Sequence, residues 1–331
     1  MPIEQHLPES CLDEVNPQEK PNPPAGGHDA SEGNRPMNQE KFEQIKQKIL
    51  SIGDLPTLPH VAMDVSRLAN SPSSSMSDIV RIIYNDPSLT AKMLKVANSA
   101  FYGMPKRIES LNMALVILGM REINSLVTSI CIFKAFPMLP GRPTFDRERF
   151  WEHSAGCGEI AKVIAHKLSV RVYGVEFTAG LLHDIGKIVL DQYFHEDFVQ
   201  VLELSQRENL PMVEAEKRIL GVAHTQLGAW LSSVWNLPPN LVDAIVYHHD
   251  PLNSKDHRTL CALIHLADAF CKTAGIGFSG DVAGTSFVDN PAWSILKMVN
   301  PQIGEIDLEQ FTLELENSVE RAREFVRIAS Q

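Results

Sequence analysis

Residues 179–190 read AGLLHDIGKIVL. Ala179, Leu181, Leu182, Ile185, Ile188, Val189 and Leu190 make this stretch apolar almost all round a helix, the pattern of a buried element. His183 and Asp184 stand in its middle. A polar or charged group buried without a partner costs several kcal/mol, so the pair needs one. A local His–Asp hydrogen bond or a helix cap would serve. A metal would also serve, since the pair offers a neutral imidazole and a carboxylate with two oxygens able to bridge two cations. In so apolar a setting the metal reading leads.

The same test, an ionisable residue on an inward helix face, finds five more positions nearby. His153 follows the period of Phe150, Cys157, Ile160, Ala161, Ile164 and Leu168. Alone it would pass for a hydrogen-bonded core histidine. His224 shares a face with Leu227, Gly228 and Leu231, and His248 with Leu241, Ala244 and Ile245. His249 lies with Val242, Ile245 and Val246. The His248–His249 pair also suits a helix C-terminus, where an imidazolium meets the negative end of the dipole. Asp268 sits with Ile264, Ala267 and Cys271 in LIHLADAFC, where an unpaired buried carboxylate is strongly disfavoured.

Five histidines and two aspartates suit two metals. One would be held by His153, His183, Asp184 and Asp268, the other by Asp184, His224, His248 and His249. Imidazole and carboxylate without thiolate favour iron or manganese and admit zinc, nickel or cobalt. Two cations sharing a carboxylate can activate a water and clamp a phosphate ester. Lys187, one turn past His183, is placed either to meet a phosphate oxygen or to end the helix in solvent. The other seven histidines (His6, His28, His60, His166, His195, His257 and His265) fall in the tail, in loops or on polar faces. His265, one turn before Asp268, could support a ligand from behind.

Working outward, helices are predicted near 147–168, 175–193, 196–208, 212–220, 223–235, 239–249 and 259–273. No alternating strand pattern appears, so the chain reads as all-α. Pro137, Pro140, Gly141 and Pro143 separate this block, 145–275, from an N-terminal helical block over 40–140. In that earlier block Asp86-Pro87 opens a helix through Ala97, with Leu89, Met93, Val96 and Ala97 inward. Residues 111–119 and 121–136 form two apolar helices interrupted near Gly119. A glycine-rich stretch, 275–291, leads to a C-terminal extension, 290–331, whose last helix covers about 307–329.

Composition bounds the rest. With 331 residues, 44% hydrophobic and 21% charged, the chain is an ordinary protein of about two domains. Residues 1–38 carry seven of the 21 prolines and read as a disordered, acidic tail. Residues 1–40 hold eight acids against Lys20 and Arg35, so more than half of the net charge of −11 lies there. An acidic chain argues against general nucleic-acid binding. No apolar run reaches the roughly 18 residues of a membrane span, and MPIEQHLPES is no secretory signal. Five cysteines without a CxxC pair fit a reducing compartment, with the thiols packing as small hydrophobes outside the ligand set. A cytoplasmic location is expected.

The chain resembles the HDOD proteins, bacterial signalling relatives of the HD superfamily of metal-dependent phosphohydrolases. The resemblance runs over about 45–275. It rests on LPTLP (55–59), IIYNDPSLTAKMLKVANSAFYG (82–103) and ALVILGM (114–120), and then on WEHS, AGLLHDIGK, AHTQLGAWL, IVYHHDP and ALIHLADAF. It implies an HD-type helical bundle with an N-terminal helical subdomain. Many HDOD domains have lost ligands and are non-catalytic. Here His153, His183, Asp184, His224, His248, His249 and Asp268 fall on positions resembling the two-metal ligand set of HD-GYP phosphodiesterases. No GYP follows the histidine pair, which continues Asp250-Pro251-Leu252, and Arg149 stands where the three-metal subset has glutamate. A third metal is therefore not expected.

The resemblance implies a metal-binding signalling protein whose output passes through a protein partner or a helical rearrangement. The competing implication is a phosphohydrolase acting on a cyclic dinucleotide or another phosphate ester, with Asp184 and Lys187 in its catalytic machinery. A third is a structural or redox-sensing metal site.

Overall fold

The computed structural model describes the chain from residue 44 onward, apart from 46, 50, 51, 53–55, 57, 70, 72, 137–144, 173, 282–285, 306–309, 312, 314, 316–318 and 331. The predicted tail, 1–38, and the proline-rich break near 140 lie outside the described residues. Among these residues there is no strand, and the chain is all-α as the periodicity predicts.

The first half includes the helices α1 (His60–Ala69), α2 (Met76–Tyr84), α3 (Pro87–Ala97) and α4 (Leu111–Ala135). Asp86 caps α3 by accepting from the Leu89 amide, with Pro87 at the first helical position. Ser75 and Asp78 form a reciprocal capping box on α2. Gly119 breaks α4 with φ 84° and ψ 164°, a conformation nearly confined to glycine. An added Cβ there would meet nothing within 4 Å. Gly119→Ala is therefore expected to cost about 1–3 kcal/mol through backbone strain alone, read from urea unfolding. A loss below about 0.5 kcal/mol would mean that the kink relaxes.

The helix α4 has 25 residues and a mean hydropathy of 1.6 over its most apolar window, long and apolar enough to cross a membrane by length and composition. The sequence reading did not anticipate this, because Arg121 and Glu122 interrupt the apolar run. The half beyond them, including Ile123, Leu126, Val127, Ile130 and Phe133, is buried in the protein core.

The second half contains α5 (Arg147–Lys167), α6 (Glu176–Leu182), α7 (Ile185–Tyr193), α8 (His195–Glu208), α9 (Met212–Leu220), α10 (His224–Val234), α11 (Pro239–Tyr247) and α12 (Arg258–Thr273). Beyond them lie α13 (Ala292–Val299) and α14 (Val319–Ala329). The central helix is α5, packed by α6, α12 and α14, while α7 packs on α10. Buried Arg147 of α5 donates to Asp191 of α7 at 2.6 Å, bracing the two.

One continuous apolar cluster runs through both halves, from Ile45 to Ala329. Phe325 of α14 sits against Phe101, Phe133 and Phe177, with centroids 5.1, 6.0 and 4.8 Å away. The C-terminal helix thus closes the seam between the blocks. Across the same seam, Trp235 Nε1 donates to the Pro56 carbonyl at 2.7 Å.

Candidate metal centre

The structure corrects the reading of 175–193 as one helix. The chain breaks at the His183-Asp184 pair, between α6 and α7, and the Lys187 amide donates to the Asp184 carbonyl across the break. Just beyond the break the backbones approach closely: a Cβ on Gly186 would lie 1.9 Å from the carbonyl oxygen of His224. The turn and the glycine together let α7 touch the start of α10, bringing Asp184 to His224. Similarly, α11 ends at Tyr247, and His248 and His249 occupy the turn beyond it.

All seven predicted ligands converge. His183 and His224 are fully enclosed, as is His248; His153, Asp184 and Asp268 are buried, and His249 is half-buried. Two groups suited to hold metal result, each with its ligand atoms within 4.8 Å of one another. One is His153, Cys157, His183 and Asp268; the other is Asp184, His224, His248 and His249. Asp184 reaches both, with Oδ2 3.4 Å from His183 Nε2 and Oδ1 3.0 Å from His224 Nε2 and 3.4 Å from His248 Nε2.

The orientation of the imidazoles tests the fit. The Nδ1 of His183 donates to the Gly180 carbonyl at 2.7 Å and that of His248 to the Ile245 carbonyl at 3.0 Å. The Nδ1 of His224 faces Glu216 at 2.7 Å, and that of His153 faces the Ile276 carbonyl at 3.3 Å. In these four histidines the outer nitrogen is engaged, which aims the Nε2 lone pairs inward, as metal-ligating histidines are held. The Nε2 atoms of His183 and His248 and the Oδ1 of Asp184 are buried with no hydrogen-bond partner. Clustered orphan acceptors are costly unless a cation joins them. The donor set fits divalent metal.

The protonation states agree in part. Burial opposes the charge on Asp184 and Asp268, yet Lys187 holds Asp184, and Lys272 holds Asp268, well below the usual carboxylate range. Burial, reinforced by His183 and His224, pushes His248 down to about 4, leaving a neutral ligand. His153 and His224 are different: burial opposes the charge on His153 too, but Cys157 and Asp268 hold its metal-free imidazole up at about 10. At His224 burial likewise opposes the charge, but Glu216 and then Asp184 outweigh it and hold the metal-free imidazole up at about 9.

A raised folded pKa stabilises fully below the ordinary value of about 6.5, and that contribution is lost as pH climbs through the raised one. A metal needs the proton gone, so its binding strengthens over the same range. The metal-free protein is therefore expected to lose thermal stability from pH 6.5 toward 9, while the gap between loaded and metal-free melting midpoints widens. A gap independent of pH, followed by calorimetry, would remove His224 from the ligand set.

Several features escaped the sequence reading. Cys157 Sγ is 3.5 Å from His153 Nε2, so one thiol lies inside the site rather than outside it. Burial, together with Cys271, pushes this thiol up, which keeps it protonated in the metal-free protein. Glu216, wholly buried on the inner face of α9 with Met212, Ala215 and Leu220, receives both the amide and the Nδ1 proton of His224. The inward-face test would have found it. His265, for which the sequence favours an ordinary role over a supporting one, donates to the His248 carbonyl at 2.6 Å and so supports the histidine turn. Lys187 is completely buried, which excludes the solvent-facing alternative; its ammonium lies 2.7 Å from Asp184 and 3.1 Å from Asp281. Lys272, one turn past Asp268, bonds it at 2.7 Å and also reaches Asp281 at 2.9 Å. Asp281 lies in the glycine-rich stretch, where helical periodicity carries no information.

Packed helices around this buried histidine–aspartate set define a protein of the HD superfamily. The chain belongs to the HDOD domain family, whose pattern matches residues 55–251, more than half of its length. It is similar to an HDOD domain protein of unknown function from Geobacter sulfurreducens, with a TM-score of 0.71 and 25% identity over 86% of this chain and 98% of that one. A Shewanella amazonensis SB2B protein, provisionally described as a phosphohydrolase, shares the fold with a TM-score of 0.64 at 21% identity, over 89% of this chain and 98% of the other. An uncharacterised protein of Treponema pallidum (strain Nichols) is 26% identical over 219 residues, 66% of this chain. The match covers 42% of that relative's length.

Proposed function

We propose that this chain is a metal-binding signalling module of the HDOD type. Its buried centre would hold two divalent cations, iron or manganese, and its output would pass through contacts with a protein partner. The observation that carries this reading is the convergence of unpartnered imidazole and carboxylate atoms in a buried centre, beside which Asp281 bridges two lysines. A cavity of about 770 Å³ lies elsewhere, between α1, α4 and the 235–241 segment, and none of the seven ligands lines it. A centre so enclosed suits structural control of the helices that carry its ligands. The cytoplasm would be its compartment.

A second reading is favoured by one specific feature, the buried lysine pair beside the ligands, which matches the charge of a phosphate ester. On that reading the chain is a phosphohydrolase. His183, Asp184 and the other five ligands would hold the metals, whose chemistry is to polarise a phosphoryl oxygen and acidify a water. Lys187 and Lys272 would orient the ester and balance charge developing on it. The fold shared with the Shewanella protein supports this alternative.

The deciding experiment is metal analysis of the untagged protein after anaerobic purification, followed by assay of phosphomonoesters and cyclic dinucleotides with iron and manganese. Two metals per chain and no turnover support the signalling module. Turnover that Asp184→Ala abolishes supports the hydrolase. Less than about one metal per chain, well short of the two that a carboxylate-bridged pair requires, overturns the binuclear centre in both.

A further inference from the structure

Helices α6, α10 and α11, which lead to or from His183, His224 and His248, turn their far ends toward one cavity. Thr178 of α6 stands little more than a turn before His183, and Trp235 closes α10, which begins at His224. Leu241 lies in the first turn of α11, the helix that leads to His248. These residues line one side of the cavity of about 770 Å³, and α1 and α4 of the N-terminal block line the other. Its volume falls within the roughly 300–1,000 Å³ of small-molecule sites.

The lining is graded. Arg67 and Arg121 are exposed, and Asp64 is the other charged residue of the wall among those described. Two guanidinium groups against one carboxylate leave a net of one positive charge, with Arg67 bonding Asp64 at 2.9 Å. Ser125 and Thr178 are buried, their hydroxyls 2.6 Å apart across the seam between α4 and α6. Asn124 lines the same wall, and its Oδ1 is buried with no hydrogen-bond partner. A buried acceptor left unpaired costs stability that an arriving donor recovers. The terminal torsion of an asparagine is soft, so a small turn presents that oxygen to the cavity. Trp235, Pro238 and Pro239 add flat apolar surface beside these groups.

We propose that this cavity binds a small aromatic monocarboxylate whose ring system carries an N–H or O–H donor. The carboxylate meets the arginines, the ring rests against Trp235 and the prolines, and the donor bonds Asn124. A single negative charge balances the single positive charge of the wall. The occupant ties the N-terminal block to the far ends of α6, α10 and α11, and so stiffens the helices that hold His183, His224 and His248. The site stands on its own lining; its role as an input to the metal centre rests on the signalling reading above.

The test is calorimetric titration of the full chain, its metal content measured in parallel, with indole-3-acetate as the probe. Two analogues accompany it: indole-3-acetamide, which lacks the charge, and benzofuran-3-acetate, which lacks the N–H. Each analogue is expected to bind about tenfold more weakly, the worth of one hydrogen bond or ion pair made away from water. Arg121→Gln, on an exposed residue, should erase most of the preference over the acetamide. Asn124→Leu should erase the preference over the benzofuran. Hydrogen exchange at 174–178 and 235–241 should slow under saturating indole-3-acetate, a readout that needs no variant to fold. Absence of saturable binding at millimolar indole-3-acetate, with metal content intact, overturns the site and leaves the metal centre standing. Binding that leaves exchange at those segments unchanged lies elsewhere and also overturns it. Binding to protein that holds no metal supports the site and separates it from the signalling reading.

Discussion

Asp184→Ala is expected to take the bound metal from about two ions per chain to near zero, the loss of both positions from one substitution that a shared bridging carboxylate requires. No other ligand should do this. Asp184 alone lies within 3.4 Å of ligand nitrogens in both groups, reaching His183 on one side and His224 and His248 on the other. The loss need not unfold the protein, because the buried Lys187 ammonium keeps Asp281 as a partner. Asp268→Ala, by contrast, should spare the second group. Elemental analysis of both variants, with circular dichroism to verify the fold, separates the outcomes. Retention of one metal by Asp184→Ala would show that the two groups act independently.

Gly186→Ala should be severely damaging, because no other described glycine would bring its Cβ so close to a neighbouring atom. Its Cβ would stand 1.9 Å from the His224 carbonyl oxygen and 2.9 Å from the Gly228 amide, both backbone atoms that no rotamer change can move. Helices α7 and α10 must then separate, taking Asp184 from His224. A loss of more than about 3 kcal/mol is expected, at the upper end of overpacking, together with loss of metal from the second group. Urea unfolding of the metal-free and loaded forms measures both. The contrast with Gly119→Ala is instructive: there the space is open and only the backbone angle resists.

The two glycines also show what the sequence could and could not reveal. Periodicity located Gly119 as an interruption because apolar residues run regularly up to it and past it. It could not mark the break at His183-Asp184, since residues on both sides remain apolar and buried, so the turn leaves no signature. The residues that gather at the buried centre were legible for a different reason. Histidine and aspartate on inward faces conflict with burial, and that conflict is visible residue by residue in His153, His224 and Asp268. Glu216 obeys the same logic and was overlooked amid the charged AEKRIL run. Asp281 leaves no such signal, because a loop residue reaches its partners through tertiary contact alone. Cys157 was misjudged because a thiol on an apolar face looks like packing until its neighbour is known.

Phe325 has a bearing on how the protein is made. During synthesis α5 emerges about 150 residues before the helix that covers its flank (estimated by a ribosome adding roughly 5–20 residues each second). Until α14 docks, the Phe101–Phe177 pair and Phe133 lack the ring that packs against all three. The nascent chain therefore presents an aromatic surface for many seconds, and folding must wait for a contact spanning most of the polypeptide. Shortening the C-terminus would leave that surface permanently bare, so deletion of α14 should drive the remaining chain into aggregates before its histidines ever meet a metal.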